Sequence, residues 1–198
     1  MTMQRTMEWH QMRLGKPTAS RFGDIRPGRG GNDRWSQATH TYMRELLVER
    51  LTGIWSEAYG AAIDWGNDYE DDAREAYTAW TGNQVRQEAF AEKDGIGGSP
   101  DGLIGELGCI EIKCPYNSAN HINYKLEGCG QHMAQIQANI YFNNRKWCDF
   151  VSYDPRMPEE LQLIIIRIER DDTYIDAMIA QVHAFADDLD ELERRVRG

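Results

Sequence analysis

Apolar positions along the chain change period several times, and each change marks a new element. Ser36 reads as the cap of a helix running to about Leu51, with Thr52-Gly53 as its stop. A second helix, Ala62 to Thr81, ends at Gly82 and carries Gly66, Ala73, Tyr77 and Trp80 on one stripe. Strand-like segments follow. Val85 to Phe90 is short and mixed, Gly97 to Leu103 holds the turn-prone Ser99-Pro100-Asp101-Gly102, and Cys109 to Lys113 is stopped by Pro115, which cannot donate to a ladder. Gln131 to Phe142 reads as a helix. Trp147 to Tyr153 and Leu161 to Ile168 read as strands, joined by the turn DPRMPEE. The run Leu163-Ile164-Ile165-Ile166 predicts a central strand buried on both faces. Ile175, Met178, Ile179, Val182, Phe185, Ala186, Leu189, Leu192 and Val196 form the stripe of a long amphipathic final helix. Helices, a strand cluster, a helix, two strands and a helix make an α/β domain with a mixed central sheet flanked by helices.

With 198 residues, 41% of them apolar, the chain can bury a sizeable core, and a single domain over 1–198 is the expectation. No run of eighteen apolar residues suggests a membrane span. The N-terminal MTMQRTMEWHQMRLGK lacks the apolar core of a signal peptide, which points to the cytoplasm. Cys109, Cys114, Cys129 and Cys148 contain no C-x-x-C spacing and read as buried free thiols rather than zinc or iron–sulfur ligands. The net charge of −10 argues against a nucleic-acid partner. Nucleases that hold divalent metals nevertheless need carboxylates, and the metal brings local positive charge. Residues 24–34, DIRPGRGGNDR, read as a loop whose three arginines are either solvated or in contact with DNA.

The chemistry concentrates in SPDGLIGELGCIEIKCP, residues 99–115. Side chains alternate on a strand, so Glu111 and Lys113 share one face and Ile112 takes the other. A hairpin joining the two segments brings Asp101 beside Glu111. Two carboxylates and an ammonium then face one small volume. Phosphodiester hydrolysis needs such a group: hard oxygens hold magnesium, and a lysine orients water and offsets charge in the transition state. Alone, E-x-K is a common surface ion pair; the Pro-Asp-Gly turn at hairpin distance makes it distinctive.

Three further features bear on this reading. Glu70 falls inside the inward stripe of its helix, where a carboxylate needs a partner or a metal, while Asp68, Asp71, Asp72, Arg74 and Glu75 mostly populate the other side. Gln135 and Gln137 point about 200° apart, so only one can face a given site; Gln135 aligns with His132 and Asn139, Gln137 with Tyr141. Arg13 precedes Ser20 by seven residues across a Gly-Lys-Pro bend, a combination that suits phosphate. The plain alternative is that Thr18 or Ser20 caps a short helix.

The blocks WHQMRLGKPTASRFGDI, WGNDYEDDAREAYTAWTG, GGSPDGLIG, LGCIEIKCP, MAQIQANIYF and FVSYDPRM, in this order from about Trp9 to Arg170, resemble the phage recombination exonucleases of the lambda exonuclease, or YqaJ-type, family. The resemblance implies a restriction-endonuclease-like (PD-(D/E)xK) core. It also implies magnesium-dependent digestion of the 5′-ended strand of double-stranded DNA, a ring-shaped homotrimer and a single-strand annealing recombinase as partner. Manganese would be able to replace magnesium. By position it makes Asp101, Glu111 and the Ile112 carbonyl metal ligands, and Lys113 the catalytic lysine. Glu70 and Gln135 become active-site residues, and Arg13, Ser20 and Ser99 bind the 5′-phosphate. Competing readings are a structure-specific or 3′-directed nuclease on the same scaffold, a DNA-end-binding protein without activity, and an acidic metal-binding interaction protein.

Overall fold

The computed structural model describes residues 6–29, 33–55 and 60–198. Helix α1, Met7–Arg13, is capped by the Thr6 side chain and leads into a 3-10 turn, Ala19–Asp24. In α2, Gln37–Thr52, the Ser36 side chain accepts from the Thr39 N–H, and Gly53 closes the helix at φ 68°, a left-handed conformation that suits glycine. Helix α3 spans Ala61–Thr81. Five short strands follow: β1 Val85–Arg86, β2 Ala91–Lys93, β3 Ile96–Gly98, β4 Gly102–Ile104 and β5 Gly108–Lys113. Then come α4 Ser118–Glu127, α5 Met133–Phe142, β6 Trp147–Tyr153, β7 Leu163–Glu169 and α6 Asp172–Arg197.

The main sheet has the order β1-β4-β5-β6-β7, and β2–β3 form a separate hairpin. Among the strand pairs of the described residues, β5–β6 alone is parallel. Parallel neighbours require a crossover, which α4 and α5 supply. The sheet is therefore mixed and flanked by helices, as the pattern predicts. Ile110 and Ile112 of β5 pack with Val151 against Ala73 and Tyr77 of α3. On the other face Cys109, Cys148 and Phe150 meet Ile136 and Ile140 of α5. A third cluster joins α2 to α6, where Tyr42 stacks on Phe185 with ring centroids 5.5 Å apart. Each such side chain contributes about 1.5–3 kcal/mol when fully buried. All four cysteines are buried free thiols. Among the described residues no helix is long and apolar enough to cross a membrane.

Four expectations change. The isoleucine-rich strand is β7, which forms the sheet edge rather than its centre. Its apolar run survives because both faces are partly covered: Leu163 and Ile165 join the α3 side, Ile166 and Ile168 the α5–α6 side. Trp80 is 80% exposed because α3 outruns the sheet it covers, and Val196 is exposed in the last turn of α6. Arg74 does not lie with the solvated residues of α3: its side chain is only 13% exposed. In the 24–34 loop Arg34 pairs with Asp188 at 3.0 Å, so one of the three arginines is committed within the chain. Residues 30–32 of that loop lie outside the described residues.

Candidate active site

The β4–β5 hairpin pairs Gly102 with Ile110 and Ile104 with Gly108. Its open end delivers Asp101. The Asp101 N–H donates to the Ile110 carbonyl at 3.1 Å, and the Asp101 carboxylate accepts from the Ile112 N–H at 2.6 Å. Two bonds thus fix this acid to β5 beside Glu111. Glu111 is fully buried. Lys113 Nζ donates to its Oε1 at 2.6 Å, and Asn139 Nδ2 donates to its Oε2 at 2.9 Å. A buried carboxylate costs several kcal/mol unless charge and hydrogen bonds compensate it, and here both oxygens have a donor. Burial, and next the Glu111 charge, push the Asp101 carboxyl up to about 7. Burial opposes the charge on Lys113, but Glu111 and Asp101 hold its ammonium above the usual lysine range. The three groups form one coupled cluster.

Helix α3 reaches this cluster from the other face. The Cys114 Sγ donates to the Tyr69 carbonyl at 3.4 Å, which ties the helix to the residue just past β5. Glu70 therefore sits near the strand end, where its Oε1 accepts from Arg74 Nη2 at 2.8 Å. Arg74 also bonds Asp71 and lowers the Asp101 carboxyl, against the larger effects that raise it. Burial, followed by the charges of Glu70 and Asp101, pushes the Cys114 thiol up to about 12, so both carboxylates act on the same spot.

Helix α5 resolves the two glutamines. Gln137 is buried and structural: its Nε2 donates to the Glu169 carbonyl at 2.8 Å and its Oε1 accepts from the Asp171 N–H at 3.0 Å. Gln135 lies one helical turn before Asn139, on the stripe that meets Glu111. His132, a further turn back, stacks on Phe150 with centroids 5.3 Å apart, and burial, with Lys113 nearby, holds its imidazole down to about 4.

Arg13 and Ser20 line one cleft of about 350 Å³ with Lys16, Thr18 and Arg21. Arg13 Nη2 lies 3.5 Å from Ser20 Oγ, and Thr18 Oγ1 lies 3.4 Å from Ser20 Oγ. The guanidinium stacks 4.1 Å over the Trp9 ring, whose Nε1 donates to Ser99 Oγ at 3.0 Å. Arg13 is 9% exposed, and burial lowers its pKa to about 10, so it stays charged at neutral pH. Its Nε has no hydrogen-bond partner among the described residues. Glu45 and Glu49 line the same cleft and the Glu49 charge acts on Arg13, so the N–H left over at Nε is what the guanidinium can offer an incoming anion. Thr18 makes no side-chain capping bond to the 3-10 turn, so that hydroxyl is not consumed as a cap.

The donor set at Asp101 and Glu111 fits magnesium. Both supply hard carboxylate oxygens. In a strand a residue's N–H and C=O point to the same side, so the Ile112 carbonyl is turned toward Asp101. Continuing the β4–β5 register by two residues sets Pro100 opposite Ile112, and proline has no N–H to occupy that carbonyl. Among the described residues no three His, Cys, Asp or Glu side chains form a cage. Magnesium is commonly held by one or two carboxylates, its other positions filled by water and phosphate oxygens.

The model of the YqaJ-like viral recombinase domain matches residues 8–146. The chain belongs to that family. Across 97% of its length it superposes on 96% of an alkaline exonuclease (LHK-Exo) from Laribacter hongkongensis, with a TM-score of 0.87 and 38% identity. The crystal structure of LHK-Exo in complex with dAMP gives a TM-score of 0.88 at the same identity. A phage related exonuclease from Haemophilus somnus 129PT, 17% identical, shares the fold with a TM-score of 0.77 over 94% of this chain and 99% of that one. No curated protein matches the chain. The fold of this YqaJ-like domain is restriction-endonuclease-like, as the sequence blocks imply.

The YqaJ-like domain gathers Asp101, Glu111, Lys113 and the Ile112 backbone in one cluster, brings Glu70 to its border, and sets Gln135 on the facing helix. It places Arg13, Ser20 and Ser99 around Trp9 and the neighbouring cleft, although Ser99 meets that group through Trp9 rather than as a cleft wall. Sequence reasoning missed three residues: Asn139, which holds Glu111; Arg74, which bridges Glu70 toward Asp101; and Trp9, which carries both Arg13 and Ser99. Asn139 had a signal, since it shares the Gln135 stripe. Arg74 had another, four residues after Glu70.

Proposed function

We propose that this protein is a magnesium-dependent exonuclease that digests the 5′-ended strand of double-stranded DNA, leaving 3′ single-stranded overhangs for phage-type homologous recombination. One observation carries the reading: Asp101, Glu111 and Lys113 converge in one cluster, and Ser99, two residues before Asp101, is bonded to the Trp9 ring on which Arg13 stacks. Its support from outside is the 38% identity to a protein described as an alkaline exonuclease. Asp101, Glu111 and the Ile112 carbonyl would hold magnesium, with manganese able to replace it. The ion supplies Lewis-acid chemistry and charge neutralisation at the scissile phosphate.

The chain's own groups do the rest. Lys113, kept charged by the two acids, offsets negative charge as the phosphate is attacked and orients the attacking water. In this reading Glu70, held by Arg74, and Gln135, on the α5 stripe that carries Asn139, position water and phosphate. Arg13, with Ser20 and Ser99, grips the terminal 5′-phosphate of the strand being shortened. An end anchored there by its 5′-phosphate would fix the polarity of digestion. A homotrimeric ring reconciles the −10 charge with DNA, since cationic groups need only line the channel. Work in the cytoplasm of a bacterial host beside a single-strand annealing recombinase completes the reading.

The test uses duplexes labelled on one strand at either end, with and without a 5′-phosphate, in magnesium or calcium. The reading expects magnesium-dependent loss of the 5′-ended strand, faster on phosphorylated ends, and binding without cleavage in calcium. Digestion from the 3′ end, internal nicking, or binding with no cleavage in any divalent ion would overturn it.

A further inference from the structure

We propose that Asn139 is a positioning residue: its amide fixes the Glu111 carboxylate. This rests on the nuclease reading of Asp101, Glu111 and Lys113. Asn139 is fully buried. Its Nδ2 donates to Glu111 Oε2 at 2.9 Å, while Lys113 holds Oε1 at 2.6 Å. A glutamate has three rotatable bonds, and only with both oxygens held is one rotamer kept. The ammonium of Lys113 is also required by the chemistry, which leaves Asn139 as the donor with no other task.

The other half of the amide explains why an asparagine is found there. Its Oδ1 is buried with no hydrogen-bond partner, a cost of about 1–3 kcal/mol. Turning the amide over would set that oxygen against the Glu111 carboxylate, so the donor faces the acid and the oxygen is left over. An apolar residue would avoid the cost but would give Glu111 no donor. The price is stability, and the return is a fixed metal-facing carboxylate.

The Asn139 amide also packs against Gly98, the residue before Ser99. A Cβ added at Gly98 would lie 2.6 Å from Asn139 Oδ1 and 2.9 Å from the Ala19 Cβ. Only glycine at 98 lets the amide enter. The amide is therefore held between Glu111 on one side and Gly98 on the other.

The experiment titrates manganese into the full metal-free chain by calorimetry, for wild type, Asn139→Ala, Asn139→Leu and Glu111→Ala, alongside melting curves and steady-state kinetics. A supporting partner of a metal ligand typically accounts for about 10–100-fold in metal affinity or activity. Both Asn139 variants should weaken manganese binding by about that factor. Their kcat should fall at limiting manganese and recover at saturating manganese, with KM for a 5′-phosphorylated duplex changed less than about threefold. The leucine variant keeps the volume without the donor, so a packing role predicts that it restores affinity where alanine does not. Equal manganese affinity in wild type and in whichever variant folds, or restoration by leucine, overturns the positioning role. No manganese binding by wild type, or equal binding by Glu111→Ala, overturns the nuclease reading instead.

Discussion

Replacing Asp101 by asparagine is expected to abolish activity yet make the metal-free protein more stable at alkaline pH. In the folded chain burial and Glu111 push the Asp101 carboxyl from its ordinary 3.8 up to about 7. Between those values the folded state binds more protons than the unfolded one, so stability falls as pH rises. The contribution is complete below about pH 4 and is lost as pH passes through about 7. A change of this size corresponds to a ceiling of about 4 kcal/mol, at roughly 1.4 kcal/mol for each tenfold change in proton affinity. Asp101 keeps some solvent exposure, which screens part of it. Asparagine retains an acceptor for the Ile112 N–H but loses about 1 kcal/mol of charge assistance. A net gain of about 2 kcal/mol remains, equivalent to roughly 4–8 °C for a chain of this size. Thermal melts in chelator at pH 8 and pH 4 measure it. Asp101→Asn should melt higher than wild type at pH 8 and level with it near pH 4, and manganese should raise only wild type. An Asp101→Asn protein that melts lower at pH 8, or a gap that does not shrink on acidification, would refute the electrostatic reasoning.

Other substitutions separate the remaining roles. Lys113→Met should lower kcat by about 10²–10³-fold or more. It should also cost about 3 kcal/mol of stability in urea melts, because Glu111 is left buried with only Asn139 as donor. Arg13→Ala should shorten the tract digested per binding event and weaken binding of a 5′-phosphorylated end by roughly 10–100-fold, from the charge-assisted bonds lost; a substrate-trap assay against excess competitor reads both. An Arg13→Ala enzyme that still prefers phosphorylated over hydroxyl ends would contradict the anchor. His132 is held down to about 4 by burial and Lys113, so the unfolded state binds the extra proton between that value and the ordinary 6.5. Stability should therefore decline by about 2 kcal/mol as pH falls through this window, after discounting for partial exposure, and His132→Phe should flatten that slope in acid melts.

Legibility in the sequence followed the range of the interaction. The β4–β5 hairpin and the shared face of Glu111 and Lys113 depend on alternation and a Pro-Asp-Gly turn within fifteen residues, and both were readable. The start and stop of α2 were equally local, set by Ser36 and Gly53. Strand order was not local. The run at Leu163–Ile166 reported that both faces of β7 are covered, which is a different quantity from its place in the sheet. The stripe ending in Trp80 could not reveal where the sheet beneath α3 stops. Asn139 is 28 residues from Glu111 in sequence, and their bond exists only because α5 crosses the β5–β6 pair. Periodicity showed that Gln135 and Gln137 oppose each other; that Gln137 is committed to the β7–α6 junction is a long-range contact no period reports.

The central claim is that Asp101, Glu111 and the Ile112 carbonyl seat a divalent cation against a DNA phosphate. Anomalous diffraction from a crystal soaked in manganese tests it most directly. The account predicts a peak touching both carboxylates and the carbonyl at roughly 2.0–2.2 Å, the range for small hard cations, and no such peak in Asp101→Asn crystals. Manganese bound elsewhere, with the Asp101–Glu111 site empty at saturating concentration, would contradict it.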